Sequence, residues 1–139
     1  FSSGADSYHS FGEELEFQTT VVDGILLLTV SFAKATINIA DKLKDRLLSE
    51  IDRGNNQIVV NLNEVEFTDS SFLGALLAGH KAALENNGGI SLCQLNPQVK
   101  NVFEVTYMNQ IFKIFATTDK AIDNFKFLND ASNKMENKL

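Results

Sequence analysis

Gln57-Ile58-Val59-Val60-Asn61-Leu62, then Asn63-Glu64-Val65-Glu66-Phe67-Thr68, then Asp69-Ser70-Ser71-Phe72-Leu73-Gly74-Ala75-Leu76-Leu77 is the stretch that decides the fold. Ile58-Val59-Val60 is a short, β-branched, uncharged run, as expected of a strand buried on both faces. The next segment is polar and carries no helical period, so it reads as a connector. Asp69 is a helix-capping residue, and the apolar positions after it recur at helical spacing to about Glu85. Asn86-Asn87-Gly88-Gly89 then stops the helix. Strand, connector and helix form one β-α unit, and such units stack into parallel sheets.

Outward from this unit the same alternation continues. Upstream, Leu15 to Val21 alternates apolar and polar residues, Asp23-Gly24 marks a tight turn, and Ile25 to Phe32 forms a second strand. Asn38, with Asp41 three residues later, resembles a capping box for a helix whose apolar face is Ala40, Leu43, Leu47 and Ile51, closed by Gly54. Downstream, Ile90 to Leu95 is a strand. Asn96-Pro97 starts a helix with Val99, Val102 and Phe103 facing inward. Ile111 to Phe115 is a last short strand, and Thr118-Asp119 opens a helix carrying Ala121, Ile122, Phe125 and Leu128. The expected order is β-β-α-β-α-β-α-β-α: an α/β domain with a mixed sheet, helices packed against it and an antiparallel hairpin at its start.

The chain has 139 residues, 44% of them hydrophobic, which suits one domain with one core. Residues 1–14, rich in Ser, Gly and charge, read as a flexible arm or a remnant of cloning. Residues 15–130 form the domain, and 131–139 read as a fraying polar tail. The first residue, Phe1 rather than Met, points to a trimmed or processed chain. No apolar run approaches the roughly 18 residues of a membrane span. The net charge of −6 argues against nucleic acid and against an anionic membrane surface, and in favour of a protein or small-molecule partner. Cys93 is the one cysteine, so no intrachain disulfide forms, and with two histidines a Cys/His zinc site is not expected. A reducing, cytoplasmic compartment fits this composition. No phosphate-binding glycine loop and no Gly-x-Ser-x-Gly elbow occurs.

The helix after Asp69 holds two glycines, Gly74 and Gly79, each costing about 1 kcal/mol relative to Ala. With Ser71, Ala75, Ala78 and Ala82 they make a stripe of small side chains, while Leu73, Leu76, Leu77 and Leu84 form an apolar face. Two readings fit the stripe: close packing inside the domain, or a face that receives a partner. Asp69-Ser70-Ser71 reads locally as a cap followed by two first-turn polar residues. A phosphate on Ser70 would lie where unpaired amides and the positive helix end favour an anion. It would add about two negative charges to a surface without breaking the fold. His80 follows Ser70 by ten positions, about 15 Å along an ideal helix, too far for a catalytic pair, and reads as a partly exposed helix residue. Cys93 reads as a small core side chain. Glu64 and Glu66 are either solvated charges or contacts for a basic partner.

The run from Val59 to Leu77 resembles the signature region of STAS domains of the anti-sigma-factor antagonist type, which read as a strand, a short acidic connector and Asp-Ser-Ser-Gly-Leu-Gly. Leu95 to Thr106, Ile111 to Phe115 and Asp119-Lys120-Ala121-Ile122 are similar to the family's later elements, so the resemblance spans about Leu15 to Leu128. It implies a STAS-like mixed sheet and a partner switch without catalysis or cofactor. The unphosphorylated chain would bind an anti-sigma factor that is also a serine kinase, and phosphorylation of Ser70 would end binding. A metal-dependent serine phosphatase would reset the switch. Asp69 would orient the loop, Ser71 would be its structural neighbour or a secondary site, and Asp69, Ser71, Phe72, Gly74, Ala75 and Ala78 would form the partner surface. The alternative is a STAS domain serving as a fixed subunit of a stress-sensing or lipid-transport assembly. Three departures stand out: Phe72 replaces the usual Gly, Val30 and Ala33 occupy a stretch where Gly and an acid are common, and Tyr107 replaces a helix-ending Gly, so that corner is expected to turn through Asn109.

Overall fold

A computed structural model describes residues 17–138, with side-chain surroundings up to residue 134. The expected arm at residues 1–14 lies outside the described residues. The strands are β1 (Phe17–Val22), β2 (Ile25–Val30), β3 (Lys34–Ala35), β4 (Gln57–Asn61), β5 (Phe67–Thr68), β6 (Gly89–Cys93) and β7 (Lys113–Phe115). The helices are α1 (Ile37–Asp52), α2 (Ser70–Glu85), α3 (Pro97–Val105) and α4 (Thr118–Lys138), with a 3₁₀ turn at Met108–Gln110. Strands β1-β2-β4-β6-β7 form a five-stranded sheet, β1 antiparallel to β2 and the rest parallel. β3 and β5 pair in parallel as a separate two-stranded ribbon, which the sequence pattern does not announce.

Register sorts the side chains into two layers. Leu26, Ile58 and Ile90 lie in one cross-strand row, and Leu28, Val60, Leu92 and Ile114 in another. Both rows face α1, α2 and α3, which contribute Leu43, Leu47, Leu76 and Phe103 to the main core. The alternate positions Ile25, Val59 and Cys93 face the other way, where α4 covers them with Ala121, Ile122 and Phe125. Side chains alternate across a strand with a period of two, so an apolar run such as Ile58-Val59-Val60 in β4 needs helices on both faces.

Local signals place most boundaries. Asp23 and Gly24 both adopt positive φ (53° and 81°), the twist that suits a two-residue hairpin. Gly54 ends α1 at φ 100°, and Asn96 caps α3 by accepting the Val99 N–H at 2.8 Å. Other boundaries differ from expectation. α1 starts at Ile37, one residue before Asn38, and its N-cap is Thr36, whose side chain makes no capping bond. The corner after α3 turns at Tyr107 itself, with φ 60°, while Asn109 lies in the 3₁₀ turn. The tyrosine side chain at this corner is 72% exposed. α4 continues to Lys138, since nothing in Ala131 to Lys138 is a glycine or proline that would stop it.

Candidate functional site

The connector after β4 and the loop after β2 emerge at the same end of the sheet, and hydrogen bonds stitch them together. The Ala33 carbonyl accepts the amides of Glu66 at 2.7 Å and Phe67 at 3.0 Å, and Lys34 and Ala35 then lie opposite Phe67 and Thr68. The Asn96 amide donates to the Val65 carbonyl at 2.8 Å, tying the connector to the start of α3. Asn61 Oδ1 accepts the Asn63 amide at 2.8 Å. Val65 is buried and the exposed Glu64 and Glu66 flank it, with Ser31 Oγ 3.5 Å from Glu64 Oε2. A connector pinned at this many points holds the following helix in one orientation.

Ser70 is the first residue of α2 and is exposed. Asp69 before it is extended (φ −130°, ψ 179°), and its Oδ1 accepts the Phe72 amide at 3.1 Å, an N-cap bond that satisfies one orphan donor of the first turn. Its Oδ2 accepts the amide of Ile37, also at 3.1 Å, the first residue of α1. One carboxylate therefore serves two helix starts. The carboxylate next to Ser70 in the chain is that of Asp69, and the amide end of α2 carries the opposite partial charge.

The residues singled out from sequence divide. Ser70 and Gly74 are exposed, and Asp69, Ser71 and Ala78 are half-buried. Phe72 and Ala75 do not belong to a partner surface: Phe72 is 0% exposed and both pack in the main core. Phe72 stands in the first turn on the side that faces the sheet, so the bulky residue fills core space and leaves the outer surface to its neighbours. The small-residue stripe splits as well. A Cβ on Gly79 would lie 2.6 Å from Leu47 Cδ1 and 3.2 Å from Ile90 Cδ1, so this glycine exists for packing between α1, α2 and the sheet. A Cβ on Gly74 would meet nothing within 4 Å, so nothing inside the domain requires a glycine there.

Sequence reasoning missed two apolar side chains beside the serine, Ile37 (69% exposed) and Phe67 (56% exposed). Strict alternation would have buried Phe67 together with Val65; the ribbon instead buries Val65 and Thr68 and turns Phe67 outward. His80 is half-buried: its ring lies 4.9 Å from that of Phe112, and its Nδ1 accepts the Ile90 amide at 2.9 Å, so it braces the start of β6. Burial holds its pKa below the ordinary 6.5. Burial likewise pushes the Cys93 thiol up, which keeps it protonated and unreactive. Among the described residues no group of three or more His, Cys, Asp or Glu side chains converges as a metal site, and no helix is long and apolar enough to cross a membrane.

Known proteins share this chain's sequence pattern and fold. A putative anti-sigma factor antagonist, BtrV of Bordetella bronchiseptica, is 28% identical over 105 residues, covering 76% of this chain and 90% of that protein. The anti-sigma F factor antagonist of Paenibacillus polymyxa is 27% identical over 101 residues, covering 72% of this chain and 83% of that protein. The crystal structure of a putative anti-sigma factor antagonist from Thermotoga maritima superposes with a TM-score of 0.71 at 26% identity, covering 81% of this chain and 96% of that one. The family model for the STAS domain matches residues 16–121, and with that the chain belongs to the STAS domain family.

Proposed function

We propose that this chain is a cytoplasmic anti-sigma-factor antagonist. It binds an anti-sigma factor that is also a serine kinase, and phosphorylation of Ser70 by that partner ends the binding. The observation that carries this reading is Ser70 itself: an exposed hydroxyl at the first position of α2, one turn before an exposed Gly74 that no intrachain contact explains. The names of the relatives supply the class of partner. The chain supplies no catalytic group. The partner brings ATP: a bond forms from Ser70 Oγ to the γ-phosphorus as the bond to ADP breaks, and the hydroxyl proton passes to a base of the partner. A metal-dependent serine phosphatase hydrolyses the ester and restores the binding form.

The phosphate adds about 1.5 to 2 negative charges next to Asp69. The amide end of α2 offsets part of this, so the domain stays folded while its surface potential changes. Phe72, the departure that would most favour a fixed subunit, lies in the core and leaves the surface beside the serine to Ser71 and Gly74.

The test is phosphorylation by the cognate kinase with ATP, read by mass spectrometry, together with binding of Ser70→Ala and Ser70→Asp. Phosphate is expected on Ser70. Ser70→Ala is expected to bind and resist switching, and Ser70→Asp to lose at least about tenfold in affinity, or 1.4 kcal/mol. Phosphate on another residue, or Ser70→Asp binding like wild type, would refute the reading. A stable complex insensitive to either substitution would mark a fixed subunit.

A further inference from the structure

β7 ends the five-stranded sheet, and its outer edge is open. It pairs with β6 through Ser91–Lys113, Leu92–Ile114 and Cys93–Phe115, and no described strand lies beyond it. The Phe115 carbonyl points to β6, where it accepts the Gln94 amide at 3.1 Å. Successive residues of a strand aim their backbone groups at opposite edges, so the N–H and C=O of Ile114 point outward. A cleft of about 860 Å³ runs along this edge between α3 and α4. A smaller one of about 280 Å³ opens at the start of β7. Ile111, Lys113 and Asn124 line both, so the two clefts adjoin along the strand.

A lysine on an edge strand is an ordinary guard against aggregation, and Lys113 alone says no more than that. Asn124 is different. Its Oδ1 is buried and has no hydrogen-bond partner in the chain. Five residues later on α4, Asn129 exchanges both amide bonds with Gln57, at 2.7 and 2.9 Å. The helix satisfies one asparagine inside the domain and leaves the other on the wall of the groove. A buried acceptor left unmade is costly, and in a native fold it calls for a partner. Large apolar side chains also stay uncovered here: Leu84 (56% exposed), Ile111 (46%) and Leu128 (42%) line the smaller cleft. The larger cleft sets Lys100 and Lys113 against Glu104, a cationic balance in a chain of net charge −6.

We propose that the outer edge of β7 is a docking site for an extended, acid-bearing segment of a partner protein, which joins the sheet as a sixth strand. An extended peptide matches each of these features. Its backbone pairs with the outward N–H and C=O of Ile114. One of its amides supplies the donor that Asn124 Oδ1 lacks. Its alternate apolar side chains cover Leu84, Ile111 and Leu128, and its carboxylate meets Lys113 and Lys100. Leu84 follows Ser70 by fourteen residues on α2, about 21 Å along the helix. The groove is therefore a second surface, and it does not depend on the reading of Ser70.

Peptides from a phage-displayed library of random twelve-residue sequences, panned on the full chain, serve as probes. Enriched peptides are expected to carry an acidic residue among alternating apolar ones. A synthetic copy should shift the backbone amides of Lys113 to Ala116 and the side-chain amide of Asn124 in NMR spectra. N-methylation of alternate peptide nitrogens should abolish binding in one phase and spare it in the other. Asn124→Ala and Lys113→Glu should each weaken binding about tenfold, while Ser70→Asp leaves it within about twofold. Asn124→Ala should melt no lower than wild type, since it removes an unpaired buried acceptor from a helix. No enrichment, shifts that cluster at Ser70 and Ile37, or binding indifferent to both Asn124→Ala and Lys113→Glu would overturn the proposal. So would a dimer of the free chain that Lys113→Glu splits, which would assign the edge to a second copy. A lower melting temperature for Asn124→Ala would show that the amide is bound within the domain, and would overturn it as well.

Discussion

Gly79 on α2 rests against Leu47 on α1 so closely that a single added carbon at position 79 would stand 2.6 Å from Leu47 Cδ1 and 3.1 Å from its Cβ. Gly74, five residues earlier on the same helix, has no such neighbour. The two glycines cost the isolated helix the same, about 1 kcal/mol each relative to Ala. At position 79 the close approach of two buried helices compensates for that cost; at position 74 nothing within the domain does.

Opposite responses to one substitution follow. Gly79→Ala should destabilise the domain by about 1–3 kcal/mol, because Leu47 and Ile90 must leave their rotamers or the helices must part. Gly74→Ala should stabilise it by about 1 kcal/mol through helix propensity, and should weaken partner binding if a partner backbone lies on that face. Urea denaturation of the two variants checks the first pair of signs. Stabilisation by Gly79→Ala would contradict the packing described for α1 and α2.

Glu50 is a buried carboxylate, 4% exposed, near the end of α1. Its Oε2 pairs with Arg46 Nε at 3.1 Å, and its Oε1 accepts from Asn55 Nδ2 at 3.1 Å and lies 3.6 Å from Arg53. Arg46 in turn donates to Thr19 Oγ1 at 3.0 Å, so the network joins α1 to the edge strand β1. Glu50→Ala should cost about 3 kcal/mol, since it strands the partly buried Arg46 without its counter-ion. Arg53→Ala, which removes a largely exposed partner, should cost about 0.5 kcal/mol or less. Thermal melts that rank the two in the reverse order would place the stabilisation outside the buried pair.

Which of these features could be read from the chain depends on how local they are. Asn96-Pro97, Asp23-Gly24 and Gly54 act within a few residues, so their capping and turn chemistry is visible in the sequence, and the structure places each where that chemistry directs. Ser70 at the head of α2 is legible for the same reason. The Asp69–Ile37 bond spans 32 residues, the ribbon of β3 and β5 pairs segments a helix apart, and Arg46 reaches Thr19 only when α1 closes against β1. No periodicity records such pairings. Phe72 shows a further limit: a substitution at a family glycine looks like a change of surface until the helix phase is known, and that phase turns the ring inward.

Tyr107 holds φ 60° where the family favours glycine. An L side chain in the left-handed region carries a cost of about 1 kcal/mol, and an exposed ring recovers little of it by burial. Tyr107→Gly should therefore stabilise the domain by about 0.5–1 kcal/mol, with part of the gain offset by the greater freedom of glycine in the unfolded chain. Equilibrium unfolding decides the sign. A loss of stability would mean that the tyrosine ring contributes packing that outweighs its backbone strain.

His80 gives the fold an acid-sensitive brace. Its Nδ1 must stay unprotonated to accept the Ile90 amide, and burial already holds its pKa below the ordinary 6.5. As the pH falls through 6.5, the unfolded chain takes up this proton first, so more protons are bound unfolded than folded and stability drops. Above 6.5 neither state is protonated, and the contribution of His80 is fully present. The loss runs from 6.5 down to the lower folded-state value and then levels off. His80→Gln keeps an acceptor in reach of Ile90 without a titrating group. Between about pH 7 and about 5.5, before most carboxylates titrate, the urea midpoint of wild type should fall more steeply than that of His80→Gln. Parallel pH profiles for the two proteins would show that the imidazole is not the group that carries the acid sensitivity of β6.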